Sequence, residues 1–225
     1  AFPPESTLYP FARPPRARLA VVDAAYGADD TPLAERVDDL VRRARERPLL
    51  LPVPAAGRGL EMAMVFAEAG IEVGLCPAHL KVAHTLLTSG ADALAPGGRT
   101  RLAATLARAR RLDERSAPTG VMIAAKPNAE GGLAAALAHR FAAGGGAEII
   151  FTGHVAEGHP SQRLIATGRA SFLRWNVHPR LGDLAALVGA MRPGAVLPAF
   201  LEAGRMADLA ARLPCRVVAA GEDLS

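Results

Sequence analysis

The residues best suited to proton chemistry are Asp23 and His178. Asp23 closes the apolar run Arg18-Leu-Ala-Val-Val-Asp23, and His178 closes Phe172-Leu-Arg-Trp-Asn-Val-His178. Both runs read as strands, and α/β folds collect their ligands at the carboxyl ends of strands. Histidine is also the side chain most available as general acid or base near neutral pH. On local sequence alone, a turn or a helix cap is the simpler account of Asp23, and a lone histidine is commonly structural.

Two loops offer binding chemistry instead. In Leu51-Pro-Val-Pro-Ala-Ala-Gly-Arg-Gly-Leu-Glu61 a strand meets a glycine-containing loop that opens a helix. Such a helix start can hold a phosphate, with Arg58 adding charge. The segment lacks the three-glycine dinucleotide fingerprint and the phosphate-loop lysine, and tight turns explain its glycines equally well. In Phe151-Thr-Gly-His-Val-Ala-Glu-Gly-His-Pro-Ser-Gln-Arg163, His154, Glu157 and His159 come directly after a strand. The two histidines are five apart in a loop, a spacing that fixes no shared metal. His79 and His84 are also five apart, which puts them on different faces of a helix. Zinc hydrolases cluster their ligands on one short loop or helix face, and no His-x-His-x-Asp-His occurs here. Two cysteines, Cys76 and Cys215, make neither a disulfide framework nor a metal quartet.

These residues need elements to hold them, and the pattern supplies an alternation. Strands are predicted at 18–23, 49–53, 71–75, 121–125, 148–152, 196–199 and 215–219, with 163–167 and 171–177 as a strand pair. Helices are predicted at 31–46, 59–69, 78–88, 100–111, 132–143, 181–191 and 203–213. Pro32 sits well in a first helical turn, and Gly70 is a helix stop. Strands alternating with helices of this length imply an α/β fold with a mostly parallel sheet.

Composition agrees. The chain has 225 residues, with 50% hydrophobic and 21% charged side chains. That balance excludes disordered and collagen-like classes. No apolar run approaches the roughly 20 residues that span a bilayer, and Ala1 to Arg18 carries no signal-peptide core. The expected compartment is the cytoplasm. Of 26 basic residues only Lys81 and Lys126 are lysines. So many arginines beside many alanines fit a coding bias first and an RNA-binding surface second. The net charge of +4 is a mild pull toward phosphates.

Taken in order along the chain, five segments resemble the β-CASP branch of the metallo-β-lactamase superfamily, of the ribonuclease J and mRNA 3′-end-processing type. Val22-Asp-Ala-Ala-Tyr-Gly27 is similar to the acid-x-x-Tyr-Gly of motif A. Leu51 to Glu61 resembles the proline, Gly-Arg and acidic helix start of the β-CASP domain. Val121 to Gly132 resembles its later strand and glycine turn, and Phe151 to Arg163 its Thr-Gly stretch. Asn176-Val-His-Pro-Arg180 resembles the Ser-Ala-His-x-Asp of motif B, with Arg180 where an acid is usual. Motif C is often Val-His-Gly-Glu; Val196-Leu-Pro-Ala-Phe-Leu-Glu202 occupies that place without a histidine.

The resemblance implies that 28–169 form a β-CASP domain, and that 1–27 and 170–225 form the closing part of an αββα metallo-β-lactamase sandwich. It implies two zinc ions in the intact protein, with ligands on an N-terminal half absent from this chain; Phe2 to Tyr9 resembles the segment just after the family's bridging zinc aspartate. It implies hydrolysis of RNA or DNA phosphodiesters by a zinc-activated hydroxide, with a single strand threading the cleft between the domains. His178 would be the general acid and Asp23 would orient it, which puts the two within hydrogen-bond reach, about 3 Å. Arg58, Arg163 and Arg180 would meet backbone phosphates. The chain on its own is then expected to be metal-poor and inactive. A homodimer stays open. Two other classes do as well: a non-catalytic module binding nucleic acid or a partner, favoured by the missing motif C histidine, and a Rossmann-like small-ligand domain, favoured by the strand–glycine–helix at Gly57.

Overall fold

A computed structural model describes residues 6–12 and 14–222. The segment compared above to the one after a zinc aspartate lies partly outside this range, at 2–5. The chain divides into two compact units. Unit 1 is discontinuous and contains Phe11–Leu33 and the chain from Asn176 onward. Unit 2 contains Thr7–Pro10 and Ala34–Trp175. Both are α/β with parallel sheets flanked by helices.

Unit 2 holds the larger sheet. Its strands are β2 (Leu49–Val53), β3 (Val73–Leu75), β4 (Arg110–Arg111), β5 (Val121–Ala125), β6 (Glu148–Phe151) and β7 (Ser171–Phe172), in the spatial order β4-β3-β5-β2-β6-β7, all parallel. β2 is central, and all five of its residues are buried. A strand covered on both faces must be apolar throughout, which is why Leu49-Leu-Leu-Pro-Val53 shows no alternation. Around the sheet run α1 (Leu33–Glu46), α2 (Arg58–Glu68), α3 (Pro77–Ser89), α4 (Gly98–Arg108), α5 (Gly132–Gly144) and α6 (Pro160–Ala166). One core forms where Leu50, Met122 and Ile149 meet Leu137 and Phe141 of α5. A second forms where Leu60 and Met64 of α2 meet Ala83, Leu102 and Leu8.

Unit 1 has a three-stranded parallel sheet, β1 (Leu19–Asp23), β8 (Ala195–Ala199) and β9 (Arg216–Val217), in the order β1-β8-β9. The register sets Asp23 opposite Ala199. Helices α7 (Leu181–Met191) and α8 (Met206–Ala210) cover it, with Leu184, Val188 and Leu209 packed on Ala20, Val22 and Val196. Among the described residues, no helix is long and apolar enough to cross a membrane.

The structure corrects the predicted elements in four places. Residues 163–167 are not a strand: Pro160 starts a helix there, with His159 as its N-cap. Proline at the first helical position is preorganised for a helix, and the Leu164-Ile165 pair fits either period. The partner strand predicted over 171–177 shrinks to β7, parallel to β6, so it belongs to unit 2. The arginine-rich helix stops at Arg108, and Arg110–Arg111 become the edge strand β4. Predicted helix 203–213 is a 3-10 turn at Ala203–Arg205 followed by the single turn-and-a-half of α8.

Candidate functional site

The site in unit 1 is assembled at the carboxyl end of β1. Asp23 is the last residue of that strand, and one of its oxygens, Oδ1, accepts the Ala25 N–H at 3.1 Å. This local turn fixes the carboxylate and leaves Oδ2 facing elsewhere. Oδ2 lies 2.6 Å from His178 Nδ1. The two residues are 155 positions apart. An ionised carboxylate only accepts, so Nδ1 carries the proton and donates it. That assignment leaves Nε2 as the ring position able to give or take a second proton. Both side chains are about one-third exposed, 33% for Asp23 and 37% for His178.

His178 does not end a strand, contrary to the sequence reading. It sits in the irregular segment between β7 and α7 and is held by side chains instead. Tyr26 stands edge-on to the imidazole, with ring centroids 5.2 Å apart and planes at 89°. The Tyr26 hydroxyl accepts the Val177 N–H at 3.1 Å, so one residue supports both the ring and the backbone before it. Asn176 is buried and donates through Nδ2 to the Thr31 carbonyl at 2.9 Å. The turn after Asp23 closes with Gly27 N–H on Ala24 O, and Gly27 has a φ of +57°. A side chain there would also strike the Arg205 guanidinium, 2.9 Å from an added Cβ. Arg205 in turn donates to the Tyr26 carbonyl at 2.9 Å.

Arg180 is engaged within this unit. It caps α7, with its N–H on Asp183 Oδ2 at 3.3 Å, and its guanidinium lies 3.5 Å from Asp183 and 3.6 Å from Asp30. Two carboxylates already face the cation that the sequence reading assigned to phosphate.

Arg58 and Arg163 are in unit 2. Arg58 is the first residue of α2, and its guanidinium lies against the Gly153 backbone: a Cβ on Gly153 would stand 2.2 Å from one of its nitrogens. The Gly57–Arg58 and Thr152–Gly153 segments therefore meet at the carboxyl edge of the large sheet, after β2 and β6. Thr152 is fully buried and its Oγ1 has no hydrogen-bond partner. Arg163, on α6, donates to the Gly158 carbonyl at 2.7 Å and is exposed. Glu61 is occupied structurally: its Oε1 accepts the N–H groups of Thr7 and Leu8, both at 3.1 Å.

Sequence reasoning missed one cluster. Cys76, the N-cap of α3, places its Sγ 3.1 Å from His79 Nδ1, while His79 Nε2 lies 3.0 Å from the Pro54 carbonyl. The Ala125 N–H also donates to Sγ, at 3.3 Å. Both residues are buried, 2% exposed for Cys76 and 0% for His79. A Cys-Pro-x-His at a strand–helix junction was the available signal. Pairing His79 with His84 for a metal hid it, because the true partner lies three residues back, across the helix start.

Among the described residues, no three His, Cys, Asp or Glu side chains group as a metal site. No protein-family model matches the chain, and no curated protein matches it. Among solved structures, a protein of unknown function from Enterococcus faecalis V583 is similar, with 12% identity and a TM-score of 0.43 over 93% of this chain; the chain spans about half of that protein, 51%.

Proposed function

We propose that the chain is the acid–base portion of a nucleic-acid phosphodiesterase. The observation that carries this reading is the Asp23–His178 hydrogen bond, made across 155 positions and buttressed by Tyr26. In the proposed reaction His178, protonated on both nitrogens, gives the Nε2 proton to the leaving oxygen of the scissile phosphodiester. Asp23 accepts the Nδ1 proton throughout, which holds the ring plane and stabilises the imidazolium before transfer. Tyr26 keeps the ring from turning. Arg58 and Arg163 would meet strand phosphates; Arg180, facing Asp30 and Asp183, is the weakest of the three for that task. The described residues do not fit the two zinc ions that the family resemblance implies, so no step here runs through a metal.

The test is cleavage of a fluorescent single-stranded oligonucleotide by the full-length product of the gene. His178→Ala should slow the single-turnover rate by about 10²–10⁴-fold with binding nearly unchanged. A substrate whose leaving oxygen is replaced by sulfur needs little protonation and should recover much of that loss. Arg58→Ala should instead weaken binding and reduce the slope of log affinity against log salt by about 1. A His178→Ala protein that cleaves at the wild-type rate overturns the reading.

A second reading, a nucleic-acid-binding module without catalysis, is favoured by the segment at the end of β8. It carries an exposed phenylalanine, Phe200, and no histidine. Binding without any cleavage by the full-length protein would put this reading first.

A further inference from the structure

Phe200 combines two unfavourable features. It is 79% exposed, and its backbone has a φ of +62°. Large apolar side chains gain from burial, and bulky residues avoid the left-handed region, where glycine or asparagine would sit with less strain. Neither feature is compensated by packing of the ring itself. Strain of this kind persists where the surroundings force it, and it gathers at functional sites.

The surroundings are visible on both sides of the residue. Just before Phe200, Ala199 ends β8 opposite Asp23 and accepts the Ala24 N–H at 3.0 Å. Just after it, Arg205 N–H bonds to Glu202 O at 2.9 Å, and the Arg205 guanidinium grips the Tyr26 carbonyl. The short loop carrying Phe200 is thus fastened at both ends to the Asp23–Gly27 segment, which also presents Asp23 and Tyr26 to His178. Clamping the loop to the proton-transfer pair holds an aromatic ring in solvent beside it.

We infer that Phe200 is a stacking platform for a nucleobase of single-stranded nucleic acid, adjoining the phosphate that faces His178. Stacking suits this position because every base has a flat face, so the ring would add affinity without reading sequence. A solvent-facing ring on a fastened loop loses little freedom on binding. This inference rests on the nucleic-acid reading above, in either its catalytic or its binding form.

The experiment measures binding of the chain to two fluorescein-labelled 12-mers, one of thymidines and one whose central positions are abasic. Phe200→Ala should weaken the thymidine strand about tenfold or more, the usual worth of one stacked base, and leave the abasic strand unchanged. Phe200→Trp should keep the affinity. Phe200→Gly should lose it as Ala does while melting no lower than wild type, since glycine relieves the left-handed backbone. That pairing separates a lost platform from a damaged fold. If wild type binds the thymidine strand and Phe200→Ala binds it equally well, or weakens both strands alike, the platform is overturned and the nucleic-acid reading stands. If wild type binds neither strand, the nucleic-acid reading falls and the platform with it.

Discussion

The molecule contains two histidines bonded through Nδ1, and they teach opposite lessons. His178 shares its Nδ1 proton with a carboxylate, is about one-third exposed, and keeps Nε2 toward open space. His79 shares a proton with a thiol, is fully buried, and spends Nε2 on the Pro54 carbonyl. A carbonyl only accepts, so Nε2 of His79 must carry a proton, and the remaining mobile proton belongs jointly to Nδ1 and Sγ. Every polar atom of the buried pair is used within the fold. One ring nitrogen of the exposed pair is not. Burial and the second nitrogen, rather than the presence of a partner, separate a structural histidine from one that can do chemistry.

Truncation should break the comparison most sharply. His79→Ala removes a fully buried ring and strands the Cys76 and Pro54 groups, so it should cost about 2–4 kcal/mol, read as a lower urea midpoint. His178→Ala, at a partly exposed position, should cost under about 1 kcal/mol in the same measurement. Equal losses would mean that His178 is structural too.

Gly59→Ala probes the buried pair without touching it. An added Cβ would lie 2.5 Å from His79 Nε2, which is bound to backbone and cannot swing away cheaply. A loss of about 2 kcal/mol is expected, and the double variant Gly59→Ala/His79→Ala should be more stable than the sum of its parts.

Acidity gives the smallest effect and a defined sign. Burial by itself raises the Cys76 thiol, but hydrogen bonds from His79 and the Ala125 N–H outweigh it and bring the thiol from its ordinary 9.0 down to about 7. A group depressed on folding adds stability above its unfolded value and loses it as pH falls through the folded one. Stability should therefore rise between about pH 7 and 9, by on the order of 1–2 kcal/mol, and Cys76→Ala should flatten that rise in unfolding curves taken across the window.

Much of the architecture was legible in the residues alone. β2, β5 and α7 fall at their predicted residues, because continuous apolar runs bounded by proline, glycine or a cap leave few alternatives. Asp23 and His178 were legible as a pair through family resemblance, since 155 intervening positions carry no local signal of their meeting. The errors have a common physical root. Around Pro160–Ala166 and Arg110–Arg111 the side chains suit either period, and the choice is made by what lies alongside: Gly158 and Gln162 close the turn before α6, and β3 offers an edge for β4. Phe200 escaped because its distinguishing features, exposure and a left-handed backbone, exist only in three dimensions.

The parallel pairing of β1 with β8 also governs how the chain assembles. Leu19 and Ala195 are neighbours in the sheet yet lie far apart along the polypeptide. At roughly 5–20 residues added per second during synthesis, β1 waits about 10–35 s for the strand it pairs with. Closing so long a loop is slow unless the intervening chain has already compacted. Unit 2, continuous from Ala34 to Trp175, is the part able to condense in that interval. The Asp23–His178 contact is then among the last to form, and a nascent chain stalled before Ala195 would carry β1 with both edges unpaired, open to pairing with its neighbours.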